Sequence, residues 1–228
     1  MVLVQKEIKR VTIRPNGTEK QIRPVWWRPW ANTIAYYSFD DQSNSQITDA
    51  SWNWYNLIWT APSYQQLSWT DYYWVFTGSQ WWGCNMTISW DFTQIMWINI
   101  SNTWQQYMSI VYSNDWTSAQ ISIIYGYRSW EIEMYTPGNR ATLQSSTQLN
   151  TWYLVSITKE SWTLKWYING VYKTQFSTSV TWAEFYLGRA NLWGYFKWGI
   201  NNCILENKVR TAQEISDYYN QTKWNYWL

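Results

Sequence analysis

A chain of 228 residues with 17 basic and 15 acidic side chains and a net charge of +2 has room for one β-rich domain of upper ordinary size, or for a smaller domain with an appendage. It contains no histidine, which excludes Ser/His/Asp and Cys/His triads in their usual form, imidazole general-base catalysis and His-ligated zinc. Charged residues are 14% of the chain, mean hydropathy is −0.48 and the pI about 8.4, a balance too mild to imply a nucleic-acid partner.

At the start of the chain a four-residue apolar stretch runs straight into Lys6, Glu7 and Lys9, which does not read as a signal peptide. No run approaches the roughly 18 apolar residues of a membrane span. Residues 7–14 and 18–23 read as two strands around Pro15-Asn16-Gly17, a strong hairpin turn. Residues 1–30 carry a net +5 and the remainder a net −3. This segment is either a solvated hairpin or a docking arm for an acidic partner, a neighbouring subunit of a homo-oligomer or a virion component. Its prolines at 24 and 29 mark a linker, so the chain divides into a basic hairpin and linker (1–30) and a main domain (31–228).

Short alternating apolar runs then recur at 34–39, 73–77, 85–89, 92–100, 107–112, 121–127, 131–135, 141–145, 152–158, 163–168, 171–176, 184–187 and 196–206. Strands at this spacing, separated by turn residues, predict two packed antiparallel sheets. One helix is expected from Ala212 to Tyr219 or slightly beyond, because Thr211 followed by Glu214 forms a capping box. The two cysteines, Cys84 and Cys203, lie 119 positions apart; they have no metal-binding spacing and read as buried thiols or one long-range disulfide.

Tryptophan takes 23 positions and glycine only 9. That is about 10% and 4%, where glycine is ordinarily about 7%. Many tryptophans stand in turn contexts such as Ser51-Trp52-Asn53-Trp54, Asn114-Asp115-Trp116-Thr117 and Glu160-Ser161-Trp162-Thr163. Turns with positive φ demand glycine, because a Cβ collides there. Reading glycine at these places turns the segments into ordinary hairpin connections. A gene that uses UGA for glycine, translated with a table that reads UGA as tryptophan, would produce this pattern. The affected positions are then Trp26, Trp27, Trp30, Trp52, Trp54, Trp59, Trp69, Trp81, Trp82, Trp90, Trp116, Trp130, Trp162, Trp182, Trp193, Trp198, Trp224 and Trp227. Trp74, Trp97, Trp152 and Trp166 lie inside strand patterns and read as true tryptophans, and Trp104 fits either class. The other reading is an exposed aromatic surface that stacks on sugar rings or sits at a membrane interface.

Several segments together resemble the laminin G-like and concanavalin A-like lectin/glucanase jelly-roll domains. Ile34 through Asp40 is similar to the family's first strand. Asp49-Ala50-Ser51-Trp52-Asn53-Trp54 resembles its D-x-S-G-N-G loop, with Trp at both glycines, and Phe76-Thr77-Gly78 resembles an F-D-G turn. Phe92-Thr93 through Trp97-Ile98-Asn99, Trp152-Tyr153-Leu154-Val155 and Leu164 through Gly170 are similar to core strands of the family. Phe185 through Arg189, then Phe196 through Asn202 and the helix containing Glu214-Ile215, complete the order. The resemblance implies an all-β, two-sheet antiparallel jelly-roll sandwich with a short C-terminal helix, here preceded by the N-terminal β-hairpin. Asn201-Asn202 replaces an acidic pair of the relatives, and Thr77 replaces an aspartate.

Candidate chemistry is sparse. Asp40, Asp41, Asp49 and Asn53 are hard oxygen donors on the segment after the first strand and could hold a calcium ion; alternatively Asp49 and Asn53 shape a turn through side chain to backbone bonds. Glu131 and Glu133 form a same-face acid pair of the kind used by retaining glycosidases, but Tyr135 stands where a third acid is expected, so they read as two glutamates on a solvent face. Of Tyr36, Tyr37, Tyr72 and Tyr73, alternation predicts about half buried. The expectation is a noncatalytic carbohydrate-binding or adhesion module of a surface or virion protein, extracellular or virion-borne, with a glycan or cell-surface polysaccharide as partner. The alternatives are a structural phage tail or fibre component without a glycan ligand and, below it, a glycoside hydrolase.

Overall fold

The computed structural model describes residues 32–38, 46–51, 53, 55–58, 63–66, 72–75, 82–88, 91–100, 106–112, 120–125, 131–136, 138–178, 182–187 and 199–226. The basic N-terminal hairpin, Asp40 and Asp41 lie outside them.

In chain order the strands are β1 (Thr33–Tyr37), β2 (Gln46–Ile47), β3 (Leu57–Ile58), β4 (Ser63–Gln66), β5 (Tyr72–Val75), β6 (Trp82–Ile88), β7 (Phe92–Ile100) and β8 (Gln106–Tyr112). They continue with β9 (Gln120–Tyr125), β10 (Ile132–Thr136), β11 (Asn139–Gln144), β12 (Thr151–Glu160), β13 (Thr163–Ile168), β14 (Val171–Ser177), β15 (Trp182–Leu187) and β16 (Gly199–Glu206). Each of the apolar runs read from the sequence contributes a strand, and 92–100 and 163–168 do so without any shift. The short strands β2, β3 and β4 were not anticipated, because two to four residues are too few to display a period.

The expected two-sheet antiparallel jelly-roll sandwich forms. One sheet has eight strands in the order β14-β13-β12-β7-β16-β5-β4, with β1 also pairing β16. Opposite it stand two four-stranded sheets, β11-β10-β9-β8 and β15-β6-β3-β2, with β15 running beside β8 and β11 lying against β13 and β14. The main core fills the space between the layers: Phe92, Met96, Ile98 and Ile100 of β7 meet Val155, Ile157, Leu164 and Trp166 from one layer and Ile132, Met134 and Leu143 from the other.

The alternate residues of the central strands of the eight-stranded sheet point outward, and they too are buried. Ile95 and Trp97 of β7, Trp152 and Leu154 of β12, Tyr36 and Ile204 form a second cluster with Tyr218 and Tyr226. Those two tyrosines come from helix α1 (Ala212–Thr222) and the 3-10 turn Lys223–Tyr226 that follows it. Both faces of these central strands are therefore covered, which is why Tyr36 and Tyr37 are both buried rather than one of the two, as alternation alone predicts. The helix starts on the expected capping box: Glu214 N donates to Thr211 Oγ1 at 3.2 Å, and Thr211 N donates to Glu214 Oε2 at 2.8 Å. The Asn169-Gly170 turn backs onto the helix, and a Cβ at Gly170 would lie 3.0 Å from Ser216 Cα and Tyr219 Cβ. Among the described residues no helix is long and apolar enough to cross a membrane.

Candidate functional site

β1 pairs with β16 along one edge, and the segment from Asp49 to Asn53 closes the other. Tyr36 N donates to Asp49 Oδ1 at 2.9 Å, and Ala50 N donates back to Tyr36 O at 2.8 Å. Ser51 Oγ donates to Ile34 O at 3.0 Å. Asn53 Nδ2 reaches Thr33 O and Ile34 O, both at 2.9 Å. The D-x-S-x-N pattern thus supplies side-chain partners to backbone groups that a further strand would otherwise satisfy.

Asp49 is buried, and its carboxylate is surrounded by N–H donors. Oδ1 accepts from Tyr36 N and from Ser51 N at 2.8 Å, and Oδ2 accepts from Tyr55 N at 3.1 Å. Asp49 N in turn donates to Asn56 Oδ1 at 2.8 Å. Of the four oxygen donors read from the sequence, Asp49 and Asn53 come together as a turn-shaping pair. Among the described residues no group of three or more His, Cys, Asp or Glu side chains is placed to hold a metal ion.

The replaced acidic pair has a definite chemistry. Asn202 adopts a left-handed φ of 47° where the pairing of β16 with β7 shifts register between Asn201 and Ile204. Tyr36 Oη donates to Asn202 Oδ1 at 2.9 Å, Asn202 Nδ2 donates to Tyr226 Oη at 2.6 Å, and Tyr226 Oη donates to Asn201 Oδ1 at 2.6 Å. Asn202 Nδ2 also bonds Asn201 Oδ1. An ionised acid at 202 could only accept, so donation from residue 202 to Tyr226 Oη needs the amide. The Tyr226 ring stacks on Trp97 with centroids 4.0 Å apart and tilts against Trp152 at 5.1 Å. Burial pushes the Tyr218 phenol of the same core cluster well above its usual value. Sequence reasoning noted the Asn pair but missed Tyr226, which lies beyond the expected helix.

Of the acid pair, Glu131 just before β10 is half-buried, whereas Glu133 within the strand is not on a solvent face. Glu133 is 3% exposed and is held by Arg140 of β11, whose Nε donates to Oε1 at 3.0 Å and whose Nη2 bonds Oε2. Glu131 Oε2 accepts from Thr142 Oγ1 at 2.9 Å. The register places Arg140 opposite Tyr135 and Thr142 opposite Glu133, which sets Arg140 diagonally across from Glu133 on the same face. Both carboxylates are thus engaged by side chains of β11.

Cys84 and Cys203 sit on strands of opposite layers, β6 and β16. Cys203 is a buried thiol whose sulfur accepts a long contact from Gln94 Nε2 at 4.0 Å. Lys159, at the end of β12, is buried as well; its Nζ donates to Ser161 O at 2.7 Å. Burial lowers its pKa, against the attraction of Asp91.

Residues 75–216 match the family model described as Concanavalin A-like lectin/glucanases superfamily. Among solved structures the chain is similar to domain 4 of the extracellular arabinanase AbnA from Geobacillus stearothermophilus, solved in complex with arabinotriose. That match has a TM-score of 0.63 and 16% identity, covering 82% of this chain and 97% of that one. It is also similar to Trypanosoma rangeli sialidase, with a TM-score of 0.65 and 14% identity, covering 87% of this chain and 34% of that one. A third is the binding domain of Paraclostridial Mosquitocidal Protein 1, with a TM-score of 0.59 and 15% identity, covering 83% and 52%. The chain therefore spans about a third of the sialidase and half of the toxin binding domain. No curated protein matches it in sequence.

Proposed function

Since the chain belongs to the Concanavalin A-like lectin/glucanases superfamily, we propose that it is a noncatalytic carbohydrate-binding module of a protein displayed outside the cell or on a virion, with a glycan as its ligand. The observation that carries this reading is the end-to-end match to domain 4 of the arabinanase, a separate domain solved with an arabinose trisaccharide. The sialidase match covers only a third of that enzyme, which fits an accessory module better than a catalytic unit. A structure titled for the dependence of botulinum neurotoxin type C cell entry on two ganglioside molecules has the same fold at a TM-score of 0.57, and it too concerns binding. The noncatalytic part of the reading rests on Glu133, whose carboxylate is engaged by Arg140, and Glu131, which is engaged by Thr142.

A glycan array tests the proposal. Binding that a soluble sugar competes away is the expected result, and silence across a broad array would refute it. Hydrolysis of any bound glycan that disappears in both Glu131→Gln and Glu133→Gln would overturn the noncatalytic assignment.

A further inference from the structure

Five of the described tryptophans fall into two populations that share almost no physical character. Trp97, Trp152 and Trp166 lie inside β7, β12 and β13 and are 0%, 5% and 0% exposed. Trp162 and Trp224 are 53% and 72% exposed, among the largest apolar side chains left in solvent. One group fills the two cores; the other contributes to neither.

The hairpins make the contrast sharper. Three two-residue connections are bounded by described strand pairs: 137–138 between Thr136 and Asn139, 161–162 between Glu160 and Thr163, and 169–170 between Ile168 and Val171. In the first and third, the second loop residue is glycine, with φ of 81° at Gly138 and 78° at Gly170. In the middle one that place is taken by Trp162. Asn169 and Ser161, the first loop residues, have the same φ of 51°, yet Trp162 is not among the residues with positive φ. The right-handed twist of paired strands favours turns in which both central residues have positive φ, and an indole-bearing residue resists that region where glycine accepts it. The Ser161-Trp162 hairpin thus shares loop length and first-residue φ with the Asn169-Gly170 hairpin, and departs from it at the second residue, where tryptophan does not take the positive φ that glycine takes. Trp182 begins β15 at a register irregularity before Glu184, another place where glycine is at home. Trp82 begins β6 next to Gly83, and Trp224 lies in the 3-10 turn, so neither stands in one of these hairpins.

We propose that the natural protein carries glycine at Trp162, Trp224 and Trp182, each encoded by a UGA codon that its host reads as glycine, and tryptophan at Trp97, Trp152 and Trp166, encoded by UGG. The exposed indoles are then no glycan platform, and any stacking ring must come from elsewhere on the surface. Whether the module binds sugar at all does not enter the argument, so failure of one reading leaves the other standing.

Two neighbouring tryptic peptides decide it. In protein isolated from its native source, residues 160–165 contain position 162 and residues 166–173 contain position 166. The expected peptide masses are those of a glycine at 162 and a tryptophan at 166, with UGA at codons 162, 182 and 224 and UGG at 97, 152 and 166. Tryptophan found at 162, glycine found at both 162 and 166, or UGG at codons 162 and 224 would each overturn the proposal.

Discussion

Removing the Asp49 carboxylate is the most direct test of how the loop after β2 holds β1 in place. Three backbone N–H groups converge on it, from Tyr36, Ser51 and Tyr55. A hydrogen bond to a charged group contributes about 1.5–3 kcal/mol, and a buried donor left without a partner loses its hydration in addition. Tyr36 lies in the second core cluster, whereas Ser51 and Tyr55 are half-buried and can recover water. The three contributions therefore do not add fully, and Asp49→Ala is expected to cost about 3–5 kcal/mol. Asp49→Asn keeps an oxygen for Tyr36 and Ser51 but turns an amide donor toward Tyr55 N, at a cost of about 1–2 kcal/mol. Urea denaturation gives both numbers from the shift in midpoint at constant slope. The same measurement with calcium and with a chelator separates a backbone clamp from a cation ligand, since a bound ion stabilises only the native state. The clamp predicts identical losses in both buffers. A loss below about 1 kcal/mol for Asp49→Ala, or a loss that vanishes in chelator, would refute it.

Further predictions rest on other elements. Gly170→Ala should destabilise by about 2 kcal/mol or more, because a positive φ and contacts of 3.0 Å to the helix act together; Gly138→Ala, with open space around its Cβ, should cost about 1 kcal/mol. Thermal melts of the two variants check the order, and equal losses would dissociate the turn from the helix packing. Lys159→Met should raise stability at neutral pH by about 1 kcal/mol, since it replaces a buried ammonium with an apolar side chain of similar length. Burial lowers the lysine's folded pKa from 10.5, so the wild type gains stability as pH rises from that lowered value to 10.5, and the advantage of methionine should shrink over that span. Glu214 is held at about 2, below the usual 4.5, first by its hydrogen bond from Lys208 and then by the one from Thr211 N. Its stabilisation of the helix start is complete above the unfolded value and is lost as pH falls from 4.5 toward 2. Unfolding at several pH values should show Glu214→Gln and wild type converging over that interval; a constant difference would contradict the cap.

Much of this architecture was legible in one dimension. Residues 92–100 and 163–168 display a two-residue period because the strand pleat sends alternate side chains to opposite faces, and Thr211 with Glu214 marks a helix start because four N–H groups there need partners. The positions of Trp97, Trp152 and Trp166 followed from the same pattern. The fate of each carboxylate did not. Glu133 looks like a surface residue in sequence, and only the antiparallel pairing of β10 with β11 carries the Arg140 guanidinium to it from seven residues away. Nor could alternation show that Tyr36 and Tyr37 are both buried, since the layer covering Tyr36 is built by a helix more than 170 residues downstream.

Local rules determine extended or helical backbone, turn positions and the residues that violate those turns, because they depend on sterics within a few bonds. Partnership across the sandwich depends on which distant strands become neighbours, and that is settled only when both faces of the eight-stranded sheet find something apolar to lie against. Tyr226 reaches Asn201 and Asn202 on those terms, as a side chain near the end of the chain closing a gap on a strand that ends twenty residues earlier.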